Sequence, residues 1–342
     1  MEVINRPDYT EKVKKLFGKG FIIALTGQRR VGKSFIMRQV IKELSQDSAA
    51  HVIYIDKDNE EFSFVQSHEE LTKYVKSNLL SNKRNYLFVD EIQNIKEFEV
   101  SLRSFHTNDE CEMVITGSNA KMLSSELTTY LSGRCVEYHI QSLDYREFLT
   151  FHRLSDNNQS LHSYLKYGGL PQLHRIGLEE TELVDDYLKS VYHTIVLKDV
   201  IEREEIRNVP LLKNLIRFVG DNVGKVFSAS SIVKYLKSQQ VDSSTRVILN
   251  YLEYLCNAYI INRVNRYDIH GKRLFELNDK FYFEDIGIRN SLVASGRSSS
   301  MEKVIENVIY LHLVRLGYEV TVGQLQKAEI DFVAQKKDET IY

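Results

Sequence analysis

The stretch Gly27-Gln28-Arg29-Arg30-Val31-Gly32-Lys33-Ser34 constrains this chain more than any other, because it fits the pattern G-x-x-x-x-G-K-[ST] without a mismatch. Its flanks suit such a loop. Phe21 to Thr26 is a short apolar run of strand character, and Phe35 to Ser45 reads as a helix with Ile36, Val40, Ile41 and Leu44 on one face. A phosphate-binding loop turns successive backbone N–H groups toward phosphate oxygens, and glycine leaves that approach open. Lys33 would reach the β- and γ-phosphates as a point charge, Ser34 would hold Mg²⁺ through its hydroxyl, and the helix start would add its positive dipole end. The bland alternative is a chance match in a glycine-containing turn, and the strand before it and helix after it count against that.

At 342 residues the chain exceeds one ordinary core and predicts roughly two to four compact units. Hydrophobic content of 43% and charged content of 27% are ordinary for a soluble, folded, mostly helical chain, and only 3 Pro and 16 Gly argue against long linkers. Lys+Arg 45 against Asp+Glu 47 leaves no whole-molecule basic field, so any nucleic-acid surface must be local. Cys111, Cys135 and Cys256 are far apart and odd in number, which suits free buried thiols in a reducing, cytoplasmic setting rather than a disulfide framework or a zinc site. Met1 to Asp8 lacks an apolar signal core and no later run has the length to span a bilayer, so no membrane segment is expected.

Further strands follow in alternation with helices. Arg6-Pro7 leads into a short helix over Tyr9 to Leu16, His51 to Asp56 reads as a buried strand, and Glu69 to Leu80 as a helix. Tyr86-Leu87-Phe88-Val89-Asp90-Glu91 is an apolar strand ending in two carboxylates, at the sheet edge where ligands bind. Asp90 would hold Mg²⁺ and Glu91 would polarise the attacking water; a solvated acidic turn is the plain alternative. Glu112 to Thr116 runs into Gly117-Ser118-Asn119, whose small polar groups either reach the γ-phosphate or the water, or simply form a polar turn. Cys135 to Ile140 alternates as a fifth strand, and the whole pattern predicts a parallel α/β sheet.

Gly27 to Ser34, Val89-Asp90-Glu91-Ile92-Gln93, Thr116-Gly117-Ser118-Asn119, Leu131-Ser132-Gly133-Arg134 and Gly168-Gly169-Leu170-Pro171 together resemble the prokaryotic AAA-type ATPases that carry a C-terminal, nuclease-like domain of unknown function. The resemblance covers nearly the whole chain. It implies a P-loop AAA-type core at residues 1–150, a helical lid at 151–221, a winged helix at 222–293 and a partial restriction-endonuclease-like module at 298–342. It implies ATP and Mg²⁺ as cofactors, with Gly27, Gln28, Arg29, Arg30, Val31, Gly32, Lys33 and Ser34 cradling the phosphates. By the same resemblance Ser118 and Asn119 look like the sensor-1 position, and Arg134 like an arginine finger acting across a homo-oligomer; the other reading of Arg134 is a surface ion-pair residue. Pro171 matches an element whose proline packs near adenine, against the simpler reading of a helix-to-helix turn.

The lid pattern rests on Leu161 to Tyr167, Glu180 to Glu205 and Leu211 to Val219, all with helical apolar spacing. Ser230 to Ser238 and Ser243 to Cys256 read as two helices, followed by strands Tyr259 to Val264 and Arg273 to Leu277 around the turn Asp268-Ile269-His270-Gly271. If double-stranded DNA is the partner, Ser243, Ser244, Thr245 and Arg246 would meet the groove and Arg263, Arg266, Lys272 and Arg273 the phosphates; a protein docking face is the alternative. Ala294 to Ser300 is a small polar linker. Beyond it, Glu306 on a helix and Asp331 on a strand resemble the start of a metal-nuclease core, but no acid-x-Lys pair follows before Tyr342, and nuclease activity is not expected. Two readings of function stay open: an ATP hydrolase that moves a lid and winged helix against a protein or DNA partner, and a nucleotide-gated binding switch with little turnover.

Overall fold

The computed structural model describes residues 4–120, 131, 133–268, 273–293, 301–325 and 328–342. They form two compact units, residues 1–140 and 141–342. The expected turn at 269–271, Lys272, Ser132 and the linker 294–300 fall outside the described residues.

The first unit opens with α1 (Pro7–Lys14), followed by β1 (Ile22–Thr26), α2 (Lys33–Leu44), β2 (Ala50–Asp56), α3 (His68–Asn78), β3 (Arg84–Asp90), α4 (Phe98–Thr107), β4 (Glu112–Gly117) and β5 (Cys135–His139). The strands make a parallel sheet of order β2-β3-β4-β1-β5. Every residue of β1 is buried, as a strand covered on both faces requires. Ile22, Ala24, Leu87, Val89, Met113 and Ile115 share one core with Leu71 and Val75 of α3 and Leu102 and Phe105 of α4. Ser67 starts α3 through a capping box with Glu70, satisfying end N–H groups that would otherwise lack partners.

Register places the site. Thr26 lies opposite Gly117 and Asp56 opposite Asp90, so the C-terminal ends of β1, β2, β3 and β4 come to one edge of the sheet. The expected strands are all present, within a residue or two of their predicted bounds.

The second unit is helical from α5 (Tyr145–His152) through α6 (Asn158–Tyr167), α7 (Leu173–Ile176), α8 (Thr181–Thr194) and α9 (Val209–Asp221), and α8 runs on as a π-helical stretch over Ile195–Glu202. Then come α10 (Ala229–Ser238), α11 (Thr245–Asn257), β6 (Ile261–Asp268), β7 (Arg273–Phe283), α12 (Ile286–Leu292), α13 (Met301–Arg315), β8 (Glu319–Leu325), β9 (Ala328–Lys336) and β10 (Glu339–Ile341). The two helices and hairpin expected of a winged helix are there, but the hairpin is not a free wing. Its β6 pairs in parallel with β8, making a mixed sheet of order β10-β9-β8-β6-β7 that unites hairpin and tail. An unpaired edge of β6 would leave backbone donors and acceptors open, and β8 satisfies them.

This pairing also revises two side-chain expectations. Arg263, whose side chain is exposed, forms an ion pair with Asp279 at 2.8 Å, and the part-buried Arg266 donates to Gln324, so Arg266 is not presented as a free wing would present it. The two acids of the supposed nuclease start, Glu306 and Asp331, are joined by Glu329 around the buried ammonium of Lys280, at 2.8, 3.2 and 2.7 Å. Tyr282 also donates to Glu306, at 2.6 Å. A lysine thus stands among the acids, contributed from β7.

Lys280 is 1% exposed, so its removal leaves carboxylates gathered without their counter-charge. Lys280→Ala is expected to destabilise the protein by about 1–3 kcal/mol, because Glu306 loses its counter-charge while the exposed Glu329 and Asp331 are solvated. Urea denaturation checks it, and a loss under about 1 kcal/mol would show that Glu306 is solvated as well.

Candidate functional site

The loop between β1 and α2 carries the phosphate-binding pattern. Gly27 has φ 132°, and a Cβ there would lie 2.3 Å from the Ile140 carbonyl oxygen, so only glycine fits beneath that backbone. Gly32, φ 99°, caps the N-terminus of α2. Lys33, 4% exposed, folds back along the loop and donates to the Gly27 and Gln28 carbonyls at 2.8 and 3.0 Å. Those bonds hold the ammonium within the loop.

Beside the loop, Asp90 and Glu91 emerge from β3 as expected, and Ser118 and Asn119 follow β4, which lies between β3 and β1. Thr116 ties these ends together. Its hydroxyl donates to Asp90 and accepts from the Glu91 backbone N–H at 2.8 Å. Ser34 also hydrogen-bonds Asp90. Ser118 donates to Glu91 Oε2 at 3.0 Å, and Gln93 donates to the same oxygen.

The two adjacent acids are tuned in opposite directions. Burial raises Asp90 above the ordinary carboxylate range, outweighing the bonds from Thr116 and Ser34, and the charges of Glu91 and Asp56 push the same way. Burial also opposes a charged Glu91, but the positive charges of Lys33 and Arg29 and the bonds from Gln93 and Ser118 together outweigh it and hold Glu91 below its usual range.

Ser34 and Asp90 suit a hard divalent cation: a hydroxyl and a carboxylate already within hydrogen-bonding reach, and an acid whose desolvation a dication would offset. Three more residues reach this corner without having been singled out in the sequence. Arg38 binds Asp56 at 3.1 Å, and the Tyr54 hydroxyl lies 3.3 Å from Asp56 and 3.4 Å from Asp90. Burial pushes the Tyr54 phenol up to about 12, so it remains a donor. The available signal was positional, since Asp56 ends β2 as Asp90 ends β3. Arg6 was also missed: 3% exposed, it donates to the Val31 carbonyl at 3.0 Å and stacks over Tyr9, bracing the loop from α1.

Arg134 precedes β5, and its carbonyl accepts from Ile22 N–H at the start of β1, whereas the loop follows the end of β1. It therefore sits at the opposite edge of the sheet, about four strand rises of ~3.3 Å from this chain's own loop, and the role expected of it was across a homo-oligomer. Pro171 belongs to the second unit, after a turn fixed by packing. A Cβ on Gly169 would lie 2.2 Å from the Leu143 carbonyl, and the Gly169 N–H donates to the buried Asp285 that also caps α12. The three cysteines are free, and burial pushes each thiol up to about 12. Among the described residues no helix is long and apolar enough to cross a membrane.

A parallel sheet with a glycine-rich loop after β1 and paired acids after β3, on either side of β4, has the arrangement of the P-loop AAA-type ATPase fold, and residues 19–149 match the AAA domain family. Residues 158–299 match a domain of unknown function, DUF8612. An uncharacterized protein of Haemophilus influenzae is 33% identical over 349 residues, covering 99% of this chain and 86% of that one. The chain belongs to the same family as that protein. Uncharacterized protein MJ1544 of Methanocaldococcus jannaschii is 28% identical, over 87% of this chain and 67% of its own. The Walker-type ATPase PABY2304 of Pyrococcus abyssi shares the fold, with a TM-score of 0.58 at 15% identity, over 84% of this chain and 96% of that one.

Thr116 is 0% exposed and serves two acids at once. Thr116→Val should cost about 1–3 kcal/mol in urea denaturation, because it leaves the Glu91 N–H without its acceptor and takes from Asp90 one of its donors. Loss of that donor should also move Asp90 further upward, so stability should fall more steeply than in the wild type as pH rises through the carboxylate range.

Proposed function

We propose that this protein is a Mg²⁺-dependent ATP hydrolase whose nucleotide state repositions a helical lid and acts on a protein or DNA partner. The observation that carries the reading is the convergence of Lys33, Ser34, Asp90, Thr116, Glu91 and Ser118 at one sheet edge. The loop N–H groups and the α2 dipole receive the triphosphate, and Lys33 exchanges the Gly27 and Gln28 carbonyls for phosphate oxygens. Ser34 and Asp90 would hold Mg²⁺, which supplies positive charge against the β- and γ-phosphate oxygens. Glu91, kept ionised by its basic neighbours, is the acceptor that orients the attacking water. Residues 151–221 would read out the nucleotide state as the lid.

Lys33→Ala should lose tight ATP binding, since a charged hydrogen bond to phosphate is worth about 1.5–3 kcal/mol. Glu91→Gln should keep ATP affinity and slow hydrolysis by roughly two orders of magnitude or more. Calorimetry and a phosphate-release assay measure the two. Wild-type affinity in Lys33→Ala would sink the loop assignment, and unchanged turnover in Glu91→Gln would remove that acid from the chemistry.

The partner surface we propose is the first turn of α11, where Thr245 and Arg246 are exposed, while Arg263 pairs with Asp279 and the part-buried Arg266 with Gln324. With a labelled duplex, Arg246→Ala should lower the salt slope by about one unit and Arg266→Ala should leave it unchanged. No duplex binding above the nonspecific level would assign the face to a protein partner. Slow turnover that duplex does not stimulate, with nucleotide-dependent partner affinity, would favour the switch.

A further inference from the structure

The loop after β3 places a side chain that the fold alone does not require. Glu91 has φ 54°, in the left-handed region that costs a non-glycine residue energy and is found at functional sites. A short 3-10 turn over Ile92–Asn94 follows, tied by Asn94 N–H to the Glu91 carbonyl at 3.0 Å. This tight reversal returns Gln93 to the Glu91 carboxylate. The Gln93 amide donates to Glu91 Oε2 and lies 3.2 Å from the Ser118 hydroxyl, which donates to the same Oε2 at 3.0 Å. Gln93, Ser118 and one oxygen of Glu91 therefore form a closed ring. The other end of the amide, Gln93 Oε1, is buried without a hydrogen-bond partner. A buried acceptor left unsatisfied is costly, so the side chain is held here for something other than its own hydrogen-bonding needs.

We propose that Gln93 is a positioning residue for ATP hydrolysis: with Ser118 it fixes Glu91 Oε2, which turns Oε1 toward the attacking water. The inference rests on the hydrolase reading above. In the step it serves, the water oxygen forms the new bond to the γ-phosphorus. The bond from that phosphorus to the β–γ bridging oxygen breaks, its electron pair leaving with ADP, and a water proton passes to Glu91 Oε1 and on to the phosphate. A carboxylate free to rotate meets this geometry only part of the time, and near-attack alignment is what a second anchoring bond secures.

The test is steady-state and single-turnover hydrolysis of MgATP by the full chain. Gln93→Met removes the amide at similar length, and Gln93→Glu keeps the shape but replaces the donor with an acceptor. Both should lower kcat by about tenfold, the scale of one lost hydrogen bond to a charged group, with KM unchanged within about twofold. In a Glu91→Gln background, Gln93→Met should cause no further fall, because the carboxylate it positions is gone. An equal fall in both backgrounds, a rise in KM with kcat untouched, or wild-type kcat in both single variants overturns the inference alone. A wild type that binds ATP and never hydrolyses it overturns the hydrolase reading and this inference together. Should Gln93→Met fail to fold, Gln93→Glu and Ser118→Ala carry the same comparison.

Discussion

The parallel pairing of β4 with β1 and β3 is the constraint on which the site depends. It sets Thr26 against Gly117 and Phe88 against Val114, so Thr116 arrives beside Asp90 with its hydroxyl able to serve that carboxylate and the next residue's N–H. Side chains alternate faces along a strand, so a slip of one residue would turn Thr116 to the other side of the sheet and leave both acids without it. The same precision fixes the loop from beneath. Ile140, just past β5, donates its N–H to the Thr26 carbonyl, and its own carbonyl closes against Gly27 where no Cβ fits. The geometry of this corner is a consequence of backbone ladders rather than of side chains finding one another.

That dependence explains what could be read from the sequence. Gly27 to Ser34 and the Asp90-Glu91 pair are contiguous, and the chemistry of each is complete within a few residues, so their positions were legible. The contributions of Arg6, Arg38, Tyr54 and Asp56 were not, because each acts on an element distant in sequence: Arg6 on Val31, and Arg38, Tyr54 and Asp56 in a chain to Asp90. Strand order decides such meetings, and strand order is not written locally. Arg134 lies just before a parallel strand, and such a residue lands at the edge opposite to one just after it. Pro171 sits next to glycines whose smallness is fully accounted for by Leu143 and Asp285.

In the second unit the individual strands were legible and their partners were not. β6 and β7 have the spacing of a hairpin, and nothing within them indicates that β8 lies alongside β6. Once it does, the meaning of the basic residues changes: Arg266 meets Gln324 and Lys280 meets Glu306, Glu329 and Asp331. The lysine's pKa is instructive. Burial alone would depress it, yet the carboxylates raise it above the ordinary value, so the ammonium stays charged and the acids stay gathered. With that charge already in place, a divalent cation would have to displace the lysine before using those oxygens.

The opposite tuning of Asp90 and Glu91 gives the hydrolase reading an order of events. Burial makes Asp90 costly to ionise where it stands, the bonds from Thr116 and Ser34 offset part of that cost, and on the proposed reading a dication arriving with the nucleotide would offset more. Glu91 is in the reverse position, ionised in advance because Lys33 and Arg29 lie close enough to hold it low. On the proposed reading a bound triphosphate would draw those same two cations toward its own oxygens, leaving Glu91 mainly the hydrogen bonds from Gln93 and Ser118. Its carboxylate would then become more basic as a water needs an acceptor, while the two bonds keep it from turning away. The residues that bind phosphate would thereby also time the base, with no further element required to switch it.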